Sequence, residues 1–318
     1  MQGTGTQENP YIIMNADDLY SMETTGSNES YFSLGADIDF NNTQYAENFV
    51  PIPLVCKKFI GNGHVIRNIN YSVTDRNASI FTVSGDTDGT DITIEGLRTE
   101  NIRLAGKKSF VFGITGGKCS ISILHCTLVV NDMSTLDLIN ASSSDRFCLM
   151  HDNNITVSAD YCTLVLNAHF YKMHAAFLGD TISHSQMRIE INTGNVMGSG
   201  NNYNAICSGS SVSDSYFFLK VNSRSTTSAE LDFSSADSIF NRTYAIFQEI
   251  KGFKTIYWYG RIGSLCFYDK DVLAQTISHP VLLLDSSYVS NLYNVSTENC
   301  KNPVYLRSIG FECMGADE

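Results

Sequence analysis

The sequence predicts an all-β solenoid in which strands stack in register along one axis, closed at its N-terminal end by a short helix. Three observations lead there. Four segments fit one pattern: Ile121-Ser122 … Cys126 … Leu128 … Val130-Asn131, Val157-Ser158 … Cys162 … Leu164 … Leu166-Asn167, Ile182-Ser183 … Met187 … Ile189 … Ile191-Asn192 and Val212-Ser213 … Phe217 … Leu219 … Val221-Asn222. Within each, apolar residues recur at every second position, the period of a strand and not of a helix. The closing Asn residues lie 167 − 131 = 36, 192 − 167 = 25 and 222 − 192 = 30 positions apart, the spacing of coils that carry loops of unequal length.

The elements follow in chain order. Asn9-Pro10-Tyr11-Ile12-Ile13 reads as a short strand. Asn15 then precedes Ala16-Asp17-Asp18-Leu19-Tyr20-Ser21-Met22, an N-cap residue with carboxylates in the first helical turn, where they meet the positive end of the helix dipole. A helix here would cover apolar core and strand edges at the open end of the first coil. Residues 1–40 are expected to hold this cap and the first strands, and residues 41–318 the coils, less regular from about residue 223. Strands are expected at Tyr31-Phe32-Ser33-Leu34, Asp37 to Phe40, Phe59 to Ile69, Ile80 to Val83, Ile92 to Ile94, Ile102 to Leu104 and Phe110 to Phe112. Shorter ones, Cys148 to Met150, Ala176 to Leu178 and Ala205 to Cys207, precede the repeats, with Gly, Asn and Ser at the corners between them. Ser223 to Ser235 is rich in Ser and Thr and reads as a loop. Tyr244 to Phe247, Ile256 to Tyr259 and Val281 to Leu284 read as later strands, and the tail around Val304-Tyr305-Leu306 as a last coil or a contact with a neighbour.

Asn131, Asn167, Asn192 and Asn222 close their strands. Asn tolerates left-handed backbone and can bond across coils, so an Asn ladder at one corner is expected, with Ser122, Ser158, Ser183 and Ser213 in an equally structural role. Cys126 and Cys162 stand at an apolar position of the pattern, where a reduced thiol serves as a small hydrophobe.

The order Asn9-Pro10-Tyr11-x-Ile13, a short acidic helix, Tyr31-Phe32-x-Leu34 … Asp37-Ile38-Asp39, then Phe59-x-Gly61-Asn62-Gly63-His64-x-Ile66-x-Asn68-Ile69 resembles the start of right-handed parallel β-helix proteins of bacterial surfaces and phage virions. The likeness covers about the first 75 residues. It implies a right-handed parallel β-helix with a short N-terminal helical cap, and it speaks to fold more than to activity.

Composition bounds the rest. The chain has 318 residues, 43% hydrophobic and 17% charged, with a formal net charge of −12, so it is no disordered polymer. No run of Lys or Arg is dense enough to track phosphates, and nucleic acid is not an expected partner. Nine cysteines show no CxxC spacing, which excludes the common zinc and redox motifs. The start Met1-Gln2-Gly3-Thr4 carries no basic and apolar leader, so no secretory signal is expected, and no segment has the roughly 20 apolar residues of a membrane span.

Candidate chemistry is sparse. The polygalacturonase set Asn-Thr-Asp, Asp-Asp, His-Gly and Arg-Ile-Lys is not matched: Arg261-Ile262 is followed by Gly263, no His-Gly pair exists, and Asp17-Asp18 falls in the cap. Asp160 and Asp214 stand at different positions of the pattern, so no carboxylate pair for hydrolysis is expected from them. The seven histidines show no HExxH spacing. His125 and His184 read as turn or surface residues, and no catalytic residue, metal or cofactor is expected. The binding candidate is aromatic: Tyr257, Trp258 and Tyr259, with Arg261 close by. On a strand Tyr257 and Tyr259 would share a face and form a flat platform for sugar rings or a partner protein.

Two functional classes fit. In one the chain is a bacteriophage virion structural protein, a tail, collar or head-fibre component that presents or supports a host-receptor-binding surface. Its partners would be other virion proteins and host surface polysaccharide, and it would be assembled in the bacterial cytoplasm, with a homo-oligomer as one option. In the other it is a bacterial surface adhesin or a carbohydrate-active β-helix domain.

Overall fold

The computed structural model describes residues 1–85, 89–132, 150–152, 154–170, 176–193, 206–223, 229–234, 238–251, 253–258, 261–262, 266–269, 281–284, 292–295 and 302–308. The protein is all-β, with parallel strands arranged in three sheets and a short helical segment near the N-terminus. Described residues through Asn167 form one compact unit and those from Ala168 on a second. Among the described residues no helix is long and apolar enough to cross a membrane.

In the first unit, β1 (Tyr11–Ile13) leads into α1 (Ala16–Tyr20) and α2 (Met22–Thr25). The Asn15 side chain accepts from the Asp18 amide at 2.9 Å, and Asp17 and Asp18 occupy the first turn, as the cap expectation requires. Leu19 and Met22 are fully buried. There follow β2 (Tyr31–Leu34), β3 (Ile38–Asp39), β4 (Ile52–Pro53), β5 (Lys58–Ile60), β6 (Val65–Ser72), β7 (Ala78–Val83), β8 (Thr90–Glu95), β9 (Arg98–Ala105), β10 (Ser109–Ile114), β11 (Cys119–Leu124), β12 (Thr127–Asp132), β13 (Ile155–Asp160) and β14 (Thr163–Phe170). They stack in parallel as three columns of strands: β1, β2, β5, β8, β11 and β13; β3, β6, β9, β12 and β14; β4, β7 and β10.

Register explains the core. Phe32, Phe59, Ile94, Ile123 and Ala159 are directly opposite one another on successive strands, and all are buried. Ile69, Ile102 and Val130 repeat this in the second column and Ile52, Phe81 and Phe112 in the third. The Phe81 and Phe112 rings stack at 5.8 Å. Every second residue points inward, so parallel stacking in register places like on like and leaves one continuous apolar interior.

The second unit uses the same construction. Its elements are β15 (Phe177–Leu178), β16 (Thr181–Ser183), β17 (Gln186–Thr193), β18 (Cys207–Ser208), β19 (Ser211–Ser223), β20 (Ala229–Ser234), β21 (Ile239–Lys251), β22 (Phe253–Trp258), β23 (Arg261–Ile262), β24 (Cys266–Asp269), β25 (Val281–Leu284), β26 (Leu292–Val295) and α3 (Pro303–Ser308). β16 and β17 both lie on β19, β19 lies on β21, and β21 on β23 and β24; β15, β18, β20, β22 and β25 form a separate parallel sheet. Ile182, Val212 and Phe240 make a buried column, as do Met187, Phe217 and Ala245.

Two expectations are corrected. The Ser- and Thr-rich stretch read as a loop contains β20, whose Leu231 and Asp232 pair with Ile256 and Tyr257 of β22; alternation in Ala229-Glu230-Leu231-Asp232-Phe233 outweighs the polar composition around it. The tail around Val304, read as a last coil or a contact with a neighbour, is helix α3 and adds no strand among the described residues, which leaves the second reading open. Asn302 Oδ1 accepts from the Val304 and Tyr305 amides at 3.0 and 3.2 Å, and Pro303 takes the first helical position, where its missing N–H costs nothing. Of the strand expected at Cys148 to Met150, only Met150 lies within the described residues; it is buried, and its carbonyl accepts from the Phe112 amide.

The Asn ladder exists, but not at a corner. Asn167 Nδ2 donates to Asn131 Oδ1 at 2.8 Å, and Asn131 Nδ2 to the Ile102 carbonyl at 3.0 Å; Asn222 Nδ2 donates to Asn192 Oδ1 at 3.2 Å. All four Asn sit inside strands, and left-handed backbone belongs to other residues.

Candidate functional site

The sharpest local feature is a recurring two-residue corner, which separates two strands at Gly96, His125, Tyr161 and His184 and lies inside β19 and β21 at Asp214 and Arg242. Its first residue has positive φ and, where it is not glycine, turns its side chain outward: Gly96 (φ 63), His125 (53) and Tyr161 (52) in the first unit, His184 (45), Asp214 (50) and Arg242 (44) in the second. His125 and His184 are thus turn histidines, as expected from sequence. The next residue turns inward and is buried: Leu97, Cys126 and Cys162 in the first unit, Ser185, Ser215 and Thr243 in the second. At all but Leu97 it donates to a carbonyl two residues back. Cys126 Sγ reaches Leu124 O at 3.3 Å and Cys162 Sγ reaches Asp160 O at 3.2 Å. Ser185, Ser215 and Thr243 do the same with hydroxyls at 2.6, 2.6 and 3.2 Å. At the corner the strand-end carbonyl accepts twice: Leu124 O, Asp160 O and Ser213 O also take the amides of Gly96, His125 and His184 on the neighbouring coil, at 2.9, 3.1 and 3.2 Å, and the buried side chain is a second donor.

These thiols are structural. Contact with Cys126, and then burial, hold the Cys162 thiol well above the ordinary thiol range. Burial pushes Cys56 and Cys266 up to about 12 and holds Cys207 well above the ordinary thiol range. The hydrogen bond with Cys162 instead lowers Cys126, but all five are buried and act as small apolar fillers.

Outside, the first-unit corner carries a ring stack. The His125 and Tyr161 rings lie 5.3 Å apart with planes 19° from parallel, and Tyr161 is 50% exposed. Residues preceding the corner align as Ile60, Glu95, Leu124 and Asp160. Lys58 Nζ forms an ion pair with Glu95, and beyond the corner Arg98 Nη2 reaches Glu100 Oε1 at 3.1 Å. Beside this lies a hydroxyl row. Lys58, Thr93, Ser122 and Ser158 are in register, and Ser158 Oγ donates to Ser122 Oγ at 3.1 Å. A flat aromatic face with ion-paired donors and acceptors and hydroxyls alongside has the shape and polarity to stack a polyhydroxylated ring.

The second-unit corner is ionic: Arg242 forms a two-pronged pair with Asp214, through Nε to Oδ1 and through Nη2 to Oδ2 at 2.6 Å. A further left-handed pair, Asn68 and Asn101, lies within the first unit, with Asn101 Nδ2 donating to Asn68 Oδ1 at 2.7 Å. At its base Asp39 accepts from Asn68 Nδ2 at 2.8 Å and from Arg67 Nε at 3.1 Å, and these bonds, that from Asn68 foremost, hold its carboxyl below the ordinary range. Asp37 is lowered by the Val65 amide and then by His64. Lowered carboxylates are poor general acids, so neither fits the raised partner of a glycosidase pair.

Of the aromatic platform expected from sequence, Tyr257 and Trp258 have their backbones in β22, opposite Leu283 and Leu284 of β25, and Arg261 begins β23. Their side chains and the whole of Tyr259 lie outside the described residues. His125 and Tyr161 were the residues sequence reasoning missed as a pair. The signal was there: both fall four positions after the opening aliphatic residue of the repeat, so the pattern itself sets two rings one above the other.

No family model matches this chain, and no curated protein does. Among solved structures it is similar to "a putative immunoglobulin A1 protease from Bacteroides ovatus", at 14% sequence identity over 96% of this chain and 89% of that one, with a TM-score of 0.46. At that overlap the likeness bears on neither the fold nor the activity of the chain.

Proposed function

We propose that the chain winds as a right-handed parallel β-helix and serves as a non-catalytic carbohydrate-binding module of a bacterial surface adhesin. The single observation that carries this reading is the exposed His125–Tyr161 ring stack, flanked by ion pairs and a hydroxyl row on a rigid parallel ladder. Sites held on strands keep their geometry without an ordering cost on binding. The ligand is a surface or capsular polysaccharide, and Tyr257, Trp258, Tyr259 and Arg261 are a separate candidate contact for sugar rings. A bacteriophage virion component would use the same ligand class. That reading rests on the N-terminal motif, and neighbouring portal, collar or tail genes would favour it over an adhesin.

The test is equilibrium binding to a panel of bacterial polysaccharides. The Tyr161→Ala variant is expected to lose at least about tenfold in affinity, since one aromatic contact contributes on the order of 1 kcal/mol or more beyond its buried area. Unchanged binding by Tyr161→Ala removes this site. New reducing ends or unsaturated uronates in the incubated polysaccharide would replace the binding role with an enzymatic one.

A further inference from the structure

The corner column of the first unit has a missing member. Coils stack in the order of β5, β8, β11 and β13, so the residues that leave these strands follow one another in register as Gly61, Gly96, His125 and Tyr161, with the left-handed Asn62 one place after Gly61. Tyr161 covers one face of the His125 ring. The opposite face looks toward the coil of Gly96, which has no side chain. A Cβ built on Gly96 would meet only the Asn62 amide nitrogen, at 3.9 Å. The Asn62 side chain does not fill the space either: its Nδ2 donates to the Leu34 carbonyl at 3.4 Å, one coil further away.

The floor of this gap is backbone. Any side chain at Gly61 would strike the Gly96 carbonyl, and the Gly61 amide donates to the Glu95 carbonyl at 2.7 Å, so the two corners are closed against each other. The walls are polar. Glu95, paired with Lys58, immediately precedes Gly96, and Arg98, paired with Glu100, follows two residues later. Both pairs are charge-balanced and partly exposed, and both offer donors and acceptors to hydroxyl groups.

We infer that the gap at Gly96 is a subsite for one neutral hexopyranose unit, whose flat C–H face lies on the free face of His125 in the place where a further corner ring would stack. This rests on the carbohydrate-binding reading above and adds where on the column the sugar sits and of what class it is. Neighbouring coils in a parallel ladder are about 4.8 Å apart, so one vacant corner leaves twice that between the Asn62 and His125 levels, enough for one ring in contact with His125. Neutrality follows from the balanced walls and from a chain of formal net charge −12, which disfavours polyanionic partners.

His125 and Tyr161 show that this corner accepts a ring on left-handed backbone, so Gly96→Tyr extends the stack and occupies the gap. The probes are a soluble β-glucan, a galactan and a mannan, with a polyuronate for comparison, and binding is measured by calorimetry alongside thermal melting. The inference expects wild type to bind at least one neutral polymer and not the polyuronate, and Gly96→Tyr to lose at least tenfold with its melting temperature within a few degrees of wild type. Should Gly96→Tyr fail to fold, Gly96→Asn, a residue suited to left-handed backbone, is expected to weaken binding severalfold. Full binding by the folded Gly96 variant, with binding lost in Tyr161→Ala, would overturn the subsite and leave the carbohydrate reading standing. Preference for the polyuronate would overturn the neutral class. No binding to any of the four polymers would overturn both the subsite and the reading on which it rests.

Discussion

The same corner is built twice with different chemistry. In the first unit the outward column is glycine and rings and the inward column Leu97, Cys126 and Cys162; in the second the outward column is His184, Asp214 and Arg242 and the inward one Ser185, Ser215 and Thr243. What both keep is a left-handed residue followed by a buried one, and in five of the six a buried donor to the carbonyl two residues back. The backbone requirement is therefore fixed and the outward side chain is free. A non-glycine residue at positive φ costs on the order of 1 kcal/mol, so five such residues in two columns imply that something else is gained there. In the second unit the gain is an ion pair between neighbours. In the first it is a ring stack open to solvent, and only the latter presents a surface for a ligand.

The largest break in the comparison would come from the interior, which both units should share. Phe112→Ala in the first and Phe217→Ala in the second each remove a fully buried ring that packs on another, Phe81 and Phe177 respectively. Each is expected to destabilise by about 3–5 kcal/mol in denaturant titration. A loss below about 1 kcal/mol in either would mean that its stacked interior is not what holds that unit together.

Exchange of the inward corner residues comes next. If thiol and hydroxyl solve one problem, Cys162→Ser and Ser215→Cys should each cost about 1 kcal/mol or less. Cys162→Ala removes the buried sulfur and its bond to the Asp160 carbonyl, which keeps the His125 amide as a donor at 3.1 Å, and should cost about 1 kcal/mol more than Cys162→Ser. Equal losses for Cys162→Ser and Cys162→Ala would show that the sulfur serves packing alone.

The corner also shows what the sequence could and could not reveal. Strand identity was legible because period-2 alternation runs through every repeat, and the core columns follow from it. The four repeats, however, are two pairs. Asn131 and Asn167 stand six residues after the left-handed corner (131 − 125 = 6), whereas Asn192 and Asn222 stand eight after it (192 − 184 = 8). Moving a corner by two residues leaves the inward and outward sides of the closing strand unchanged, so nothing in the apolar pattern marks the difference. β16 has accordingly three residues before its corner, against six in β11 and β13. β20 was hidden by Ser and Thr on either side of a short alternating run, and α3 by apolar residues too few to show a period. The ring stack was concealed by chemistry: His125 and Tyr161 share no residue class with each other or with Gly96, and only stacking in register makes them one site.

The Asn ladders should contribute equally in both units despite their different places. Asn167→Ala and Asn222→Ala each delete one amide bond to the coil below, and about 1 kcal/mol is expected from either by thermal melting. A markedly larger effect from one of them would mean that the ladders are not equivalent.

Smaller still is the ionic corner. Arg242 and Asp214 form a two-pronged pair, but Arg242 is about half exposed, and exposed pairs contribute about 0–1 kcal/mol. Arg242→Ala should therefore lower stability only slightly, and the difference from wild type should shrink as salt is raised toward 1 M. A salt-independent loss would place the guanidinium in packing and not in charge pairing.

The least effect, and the one with a definite pH dependence, is expected at the base of the Asn68–Asn101 pair. The bonds from Asn68, the Asn41 amide and Arg67 hold the Asp39 carboxyl below the ordinary carboxylate range. A carboxylate whose folded pKa is lowered contributes stability above its unfolded pKa and loses it as pH falls through the folded one. Asp39→Asn should therefore be slightly less stable than wild type at pH 7, with the gap closing below about pH 4. Asp39 is half-buried beside a partly exposed Arg67, and screening by solvent keeps the shift in melting temperature small. Parallel melting curves for the two proteins at pH 7 and pH 3 read it directly, and a gap that persists unchanged at pH 3 would assign the effect to lost hydrogen-bond geometry in the corner and not to the charge.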